Sequence, residues 1–217
     1  MNTIRYSFTV LVLFALILST AAQQVDNWLF IGPMPVSAPG FIKGKNIKGD
    51  EFKDKFILSN EYLNLPGLLP KADDPLLWDD YRPRTWAQEE VSDDGFLVLK
   101  PEKPEYQLSY NAFYIESDGL YTYSCEVESP QMFEIFLNGK KLASNYVMAE
   151  EGATSKKTDS LELDRGKFLV MVKSIYIRGE NKNKWKIKAL LAVHRSYLLG
   201  QGGSPLIYCI SCPPRLR

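Results

Sequence analysis

The chain has 217 residues, with 26 basic and 26 acidic side chains, one histidine and three cysteines. Apolar residues make up 45% and charged residues 24%, which excludes a collagen, a long disordered chain and a disulfide-stapled mini-protein. The net charge of zero provides no basic footprint for nucleic acid. A single histidine excludes metal sites that need two or more imidazoles, and no phosphate-binding glycine loop points to a nucleotide cofactor.

The first 22 residues are typical of a secretory signal peptide. Arg5 supplies a positive charge, an apolar run covers residues 8–18, and the small residues Ser19 to Ala22 follow it. The apolar run is shorter than the ~20 residues that span a bilayer. We therefore expect cleavage after Ala22 and a secreted or periplasmic product, with no membrane association afterwards; an uncleaved N-terminal anchor is the alternative.

Residues 23–105 are rich in proline, which breaks long helices and predicts a loop-heavy first part of the fold. Short strands are predicted at Trp28–Ile31, Lys55–Leu58 and Phe96–Leu99. A single helical turn is predicted within Glu61–Leu65.

Residues 106–199 show the regular patterns of antiparallel strands. From Leu120 to Glu128 apolar and polar residues alternate, with Tyr123, Cys125 and Val127 on one face. The pair Asn138-Gly139 between two strand-like runs is a strong hairpin signal, because both residue types tolerate the positive φ of a type I′ turn.

Two later runs complete the predicted sheet structure. Phe168 to Val172 is continuously apolar, as expected of a central strand covered on both faces. Between Trp185 and Val193 apolar residues alternate with lysines, which indicates a strand with one solvent face. Together the patterns predict an all-β fold, an antiparallel β-sandwich of the jelly-roll, galactose-binding-domain-like kind.

The C-terminal tail, residues 200–217, differs from the rest of the chain. It begins with a glycine-rich joint, and no acidic residue occurs after Glu180. We expect an unstructured tail, an out-of-frame end or a cut in a longer chain. The Cys209 and Cys212 pair lacks the strand-to-helix context of a redox motif, whereas Cys125 is expected to pack as a small apolar group.

The residues offer no complete catalytic constellation. His194 lies on the same, solvent-facing side of the predicted strand as the lysines, and no acidic residue is placed beside it. A catalytic role is therefore not expected. Gly202 to Leu206 lacks the last glycine of a nucleophile elbow. We expect no catalytic residue, no cofactor and no metal site, with structural calcium held by scattered carbonyls left open.

One patch is suggestive of ligand binding. Trp78, Asp79, Asp80, Tyr81 and Trp86 combine flat rings with carboxylates, as sugar-binding surfaces do, since rings stack on the apolar face of a sugar and carboxylates accept its hydroxyl hydrogens. These five residues are the candidate sugar site. The competing interpretation is that the rings close one end of the sandwich and cover its core.

The segment from Ser117 to Leu142, SDGLYTYSCEVESPQMFEIFLNGKKL, resembles a recurring part of secreted jelly-roll modules. These modules include galactose-binding-like domains and the protective-antigen-type sugar-binding domain. The resemblance implies a β-sandwich and, in those families, recognition of carbohydrate.

The opening Trp28 to Pro35, WLFIGPMP, is similar to the start of β-rich regions that precede prolyl oligopeptidase-family peptidases in secreted bacterial hydrolases. This second resemblance implies a non-catalytic accessory module beside a downstream or separate hydrolase domain. That role is our leading hypothesis. The alternative is a carbohydrate-binding module of a secreted or surface protein, and a third is a structural or adhesive surface protein.

Overall fold

The computed structural model describes residues 22–49, 51, 53–78, 81–102, 104–179 and 183–196, with only the backbone for 194–196. The predicted signal peptide, Asp79, Asp80, the His194 side chain and the predicted tail therefore lie outside the described residues, apart from Ala22. The elements in chain order are β1 Gln23–Gln24, β2 Asn27–Pro35, α1 Lys55–Ser59, β3 Pro75–Leu77, β4 Pro83–Thr85, β5 Ala87–Glu90, β6 Leu97–Val98, β7 Tyr106–Ser117, β8 Tyr121–Ser129, β9 Phe133–Leu137, β10 Lys140–Asn145, β11 Ser155–Leu163, β12 Gly166–Ile177 and β13 Lys186–Ser196.

Two antiparallel sheets form a sandwich, as the sequence predicts. One sheet has the order β1-β13-β8-β11, with β6 also paired to β13, and the other has the order β10-β9-β12-β7-β2-β5. A separate hairpin joins β3 and β4. The proline-rich first part contributes β1 and β6 to one sheet and β2 and β5 to the other. It therefore belongs to the same sandwich as the regular strands. Within the described ranges, no helix is long and apolar enough to cross a bilayer.

The core between the sheets follows the predicted alternation. On β8, Tyr123, Cys125 and Val127 are fully buried. On β13, the neighbouring strand of the same sheet, Ile187 and Ala189 are buried in the same core. Burial raises the pKa of the Cys125 thiol to about 12, so the side chain stays protonated and packs as a small apolar group.

The six-stranded sheet is covered on both faces, which explains the continuous apolar run predicted at 168–172. On β12, Val170 and Val172 point into the sandwich, whereas Leu169 and Met171 point to the opposite, outer face. That outer face is covered by residues 36–86, here named the covering segment, through buried side chains such as Leu65.

Two predictions for the covering segment are wrong. Lys55–Leu58 is not a strand but part of α1, and Glu61–Leu65 contains no helical turn. A strand would turn Ile57 and Leu58 to opposite sides, whereas the ~100° step of a helix buries both against the sheet. Pro66 disfavours helical geometry at the residue before it, which keeps this stretch extended.

The other two short strands are confirmed, although their first and last residues differ from the predicted ones. The strand predicted at Trp28–Ile31 is the first half of β2, and the one predicted at Phe96–Leu99 is the shorter β6. Differences of a residue at strand ends are ordinary.

The predicted hairpin between β9 and β10 is confirmed. Asn138 and Gly139 have φ values of 48° and 82°, and Lys140 pairs with Leu137 directly after the turn. The Asn138 side chain accepts a hydrogen bond from the Leu169 amide at 2.8 Å, which fixes the turn against the next strand.

Replacing Gly139 with alanine is expected to destabilise the protein by about 1–3 kcal/mol beyond its backbone strain. A Cβ there would lie 2.6 Å from the Leu65 carbonyl carbon and the Pro66 nitrogen, so the covering segment would have to move. Gly179→Ala is the matched control, because Gly179 has a similar φ of 86° and no atom of the described residues lies within 4 Å of a new Cβ. Urea unfolding measures both variants, and equal losses would contradict the proposed close approach.

Candidate functional site

A cavity of about 230 Å³ lies between the covering segment and the outer face of the six-stranded sheet, and we name it the sheet cavity. One wall is the stretch 59–66 of the covering segment, and the other wall comes from strands β7, β9, β10 and β12. The sheet side is lined by Tyr110, Glu134, Phe136, Gly139, Lys141 and Lys173. The covering segment contributes Ser59, Asn60, Glu61, Leu63, Asn64, Leu65 and Pro66.

The floor of the sheet cavity is a cross-strand row of three residues. Glu134 on β9 is the register partner of Lys173 on β12, and Lys173 is the register partner of Tyr110 on β7. Residues directly opposite one another on neighbouring strands share a face. The antiparallel register therefore brings one carboxylate, one ammonium group and one phenol together on the outer face.

Glu134 lies at the β9 end of this row and is only 2% exposed. Its Oε1 atom accepts hydrogen bonds from Lys141 Nζ at 2.5 Å and from the Tyr146 hydroxyl at 2.7 Å. Its Oε2 atom faces Lys173 Nζ at 3.7 Å. Although burial opposes the charge of Lys141, its hydrogen bonds to Glu134 and Tyr146 outweigh that effect and raise its pKa.

Lys173 ties the covering segment to the sheet. Its ammonium group donates hydrogen bonds to the backbone carbonyls of Leu58 and Asn60, the second at 2.5 Å. It also lies 5.2 Å from the ring centroid of Tyr62 and 5.9 Å from that of Tyr110. Burial lowers the pKa of Lys173 to about 8, and the Glu134 carboxylate limits the decrease.

This lowered pKa predicts a rise in stability with alkaline pH. The unfolded chain keeps Lys173 protonated up to its ordinary pKa of 10.5, whereas the folded protein releases that proton near pH 8. Because the unfolded state then binds more protons, the free energy of unfolding should rise between about pH 8 and 10.5 relative to Lys173→Met. Urea titrations of both proteins across this range measure the difference, and parallel profiles would contradict the assignment.

The sheet cavity suits a small, polar and uncharged ligand. Lys141 and Lys173 balance the two carboxylates of Glu61 and Glu134 that line it. Amide groups on the covering segment and ring surface on the sheet add donors, acceptors and apolar faces. Its volume is below the ~300–1,000 Å³ of drug-sized sites, so a ligand unit the size of one sugar ring is appropriate.

The structure describes three of the five residues of the predicted sugar patch, and these three differ in exposure. Trp78 and Trp86 are 4% and 3% exposed and pack against the covered outer face of the sheet, and Trp78 Nε1 donates to the Pro35 carbonyl at 2.8 Å. Tyr81 is 85% exposed, and Asp79 and Asp80 lie outside the described residues. In this arrangement Tyr81 is the one ring of the three that presents a free face, and the binding role of the patch stays a prediction.

Sequence reasoning missed the residues that line the sheet cavity. Glu134 and Lys173 each interrupt a strongly apolar strand at a position whose neighbours two residues away, Phe136 and Met171, are buried. A charged residue at a strand position whose side chain points to a covered face is unusual, since charged groups are almost never fully buried unless paired. This pattern identifies Glu134 and Lys173 individually, but the sequence does not show that they are partners.

Metal and cysteine chemistry find no geometric support in the described part of the chain. Among its residues, no group of three or more histidine, cysteine, aspartate or glutamate side chains could hold a metal ion. Cys209 and Cys212 lie outside the described residues.

No protein-family model matches the sequence, and no curated protein gives a significant match. A family 35 carbohydrate binding module from Clostridium thermocellum is similar at 12% identity and a TM-score of 0.32, over 46% of this chain and 88% of that one. A PA14 sugar-binding domain from an RTX adhesin aligns at 17% identity and a TM-score of 0.35, over 87% and 96%. A β-glucosidase from Kluyveromyces marxianus aligns at 16% identity and a TM-score of 0.36, where this chain spans 14% of the enzyme's length. These likenesses concern the fold alone, and the antiparallel β-sandwich is assigned here from the strands and their pairing.

Proposed function

We propose that this protein is a carbohydrate-binding β-sandwich module whose ligand unit occupies the sheet cavity. The observation that carries the proposal is the buried row of Glu134, Lys173 and Tyr110 at the floor of a cavity open to a small polar ligand. Sugars present hydroxyl groups that both donate and accept hydrogen bonds, and apolar ring faces beside them. The cavity offers a carboxylate, an ammonium group, amides and aromatic surface within one small volume.

The rigid sheet supports this assignment. The polar groups that line the floor belong to strands in the middle of a six-stranded sheet, and their positions are fixed by hydrogen bonds before any ligand arrives. Preorganised groups lose little conformational entropy on binding, which favours recognition of a weakly hydrophobic ligand.

Isothermal titration against a panel of neutral monosaccharides and polysaccharides tests the proposal. Lys141→Met removes a charged donor from the cavity wall, so we expect at least a tenfold loss of affinity for the panel member that binds. Lys157→Met, an exposed lysine on the other sheet, is the matched charge control and should bind normally.

The same titration separates the sheet cavity from the predicted aromatic patch. Tyr81→Ala should leave affinity unchanged if the ligand lies in the cavity, because Tyr81 is exposed and does not line it. Binding that is lost in Tyr81→Ala and kept in Lys141→Met would transfer the site to the patch. Absence of binding by every panel member would refute the function.

We propose further that the module acts outside the cytoplasm, as the N-terminal pattern of residues 1–22 suggests. N-terminal sequencing of the exported protein should begin at Gln23, and retention of the first residues would reject the cleaved signal. The accessory role beside a peptidase-like hydrolase stays a prediction, which co-purification with a hydrolase from the native source would support.

A further inference from the structure

A second cavity, of about 450 Å³, lies beside the first and is named here the lysine cavity. Its basic side chains are Lys43, Lys53 and Lys55, and the opposite side is formed by Met132 and residues 146–148. Lys53, Lys55 and Val147 are exposed, so this cavity is accessible from solvent.

Both cavities are lined on one side by the covering segment and on the other by residues in or next to the β9–β10 hairpin. Met132 lines the lysine cavity and Glu134 lines the sheet cavity, and these residues are two apart on one face of the chain entering β9. That separation corresponds to about 7 Å along a strand. On the other wall, Lys55 and Ser59 stand at the two ends of α1, one in each cavity.

Tyr146 forms the junction between the cavities. Its side chain lines the lysine cavity, and its hydroxyl group donates to Glu134 Oε1 at 2.7 Å on the floor of the sheet cavity. Lys141 Nζ donates to the same hydroxyl at 2.5 Å and lies 5.1 Å from the centre of the ring. One aromatic side chain therefore lines the lysine cavity and is hydrogen-bonded to a residue that lines the sheet cavity.

The charges of the two cavities differ. Among the described residues that line the lysine cavity, three ammonium groups meet two carboxylates, Glu51 and Asp54, and Asp54 also accepts a hydrogen bond from the Tyr106 hydroxyl at 3.2 Å. The sheet cavity, in contrast, carries two lysines and two carboxylates. The excess positive charge favours an anionic group in the lysine cavity.

We infer that the two cavities are adjacent subsites of one groove, which binds an acidic oligosaccharide of two or more units. A neutral face of the chain occupies the sheet cavity, Tyr146 contacts the link between units, and a carboxylate or sulfate group of the neighbouring unit lies among the lysines. This inference rests on the proposed function and specifies the class of its ligand.

Titrations with three sugar series test the inference: galactose, glucose and mannose, each as monomer, dimer and tetramer, with the corresponding uronates and 6-sulfates. In at least one series we expect an acidic tetramer to bind ten times or more tighter than both its own monomer and the neutral tetramer. The comparison of uronates with sulfates identifies which anion is preferred. Rising salt should weaken the acidic oligomers more than the neutral ones.

Paired variants locate the effect. Lys53→Met/Lys55→Met should abolish the advantage of the acidic oligomers and leave neutral monomer binding unchanged. Lys45→Met/Lys48→Met, with the same charge change at exposed positions outside the cavity, should retain the advantage.

The outcomes separate the inference from the proposed function. If neutral sugars bind in a way that depends on Lys141, but affinity does not rise with chain length or with acidic groups, the two-subsite groove is wrong. The proposed function would then still hold. Loss of the acidic advantage in the Lys45/Lys48 variant would overturn the assignment to the lysine cavity. No binding in any series would refute both.

Discussion

Glu134→Leu should lower the free energy of unfolding by about 3–5 kcal/mol at pH 7, because it leaves the ammonium group of Lys173 buried without its carboxylate. Both residues are 2% exposed, so bulk water screens the remaining charge only weakly. The double variant Glu134→Leu/Lys173→Met should recover part of the loss, since it leaves no buried ammonium group without a counter-charge, although it also removes the donor to the Leu58 and Asn60 carbonyls. Urea unfolding of the two single variants and the double variant completes the cycle.

Two controls distinguish the loss of the buried ion pair from a nonspecific loss of stability. Lys156→Met breaks an exposed ion pair with Glu126, at 54% and 29% side-chain exposure, and should cost less than about 1 kcal/mol. The cost of Glu134→Leu should also shrink near pH 10, where Lys173 is neutral in the folded protein. A cost that is independent of pH, or that the double variant does not relieve, would reject the buried pair as its source.

Trp185→Ala should destabilise the protein by about 3–5 kcal/mol, the range for removing a large buried aromatic side chain. Trp185 is 1% exposed, and its ring stacks on Tyr176 with centroids 5.5 Å apart. Its Nε1 atom donates to Ser174 Oγ at 2.8 Å, and Ser174 lies 2.9 Å from Ser109 Oγ. The indole therefore joins the two sheets through packing and through a buried polar network.

Trp185→Phe separates the two contributions. It keeps most of the ring volume but removes the donor to Ser174, so we expect a smaller loss of about 1–3 kcal/mol. Thermal and urea unfolding measure both variants, with Tyr81→Ala as the exposed aromatic control that should change stability by less than about 0.5 kcal/mol. An alanine variant within 1 kcal/mol of the parent protein would contradict the packing described for this ring.

The position of the proposed binding groove has a consequence for engineering the protein. The same contacts hold the covering segment on the sheet and shape the sheet cavity: Lys173 with the carbonyls of Leu58 and Asn60, and Gly139 against Leu65. Substitutions at these positions are therefore expected to lower stability and, if the proposed function holds, ligand affinity as well. The exposed lysines of the second proposed subsite, Lys53 and Lys55, are better choices for changing specificity alone.

Local sequence patterns were sufficient for the regular strands. The alternation around Cys125, the Asn138-Gly139 turn and the apolar run at 168–172 each specify a strand or a hairpin through interactions between near neighbours. Local patterns do not specify the covering segment, because Ile57 and Leu58 adopt a helix that buries both side chains against a sheet distant in sequence.

The amino-acid sequence by itself determined the all-β class, the main hairpin and the strands that face the core, because side-chain period and turn chemistry are local properties. Only the tertiary structure decided that Glu134, Lys173 and Tyr110 meet in one row and that residues 53–66 close over them. It also decided that Trp78 and Trp86 are buried while Tyr81 is exposed. Strand order and register between distant segments produce these contacts, and no pattern within a single strand records which strands will become neighbours.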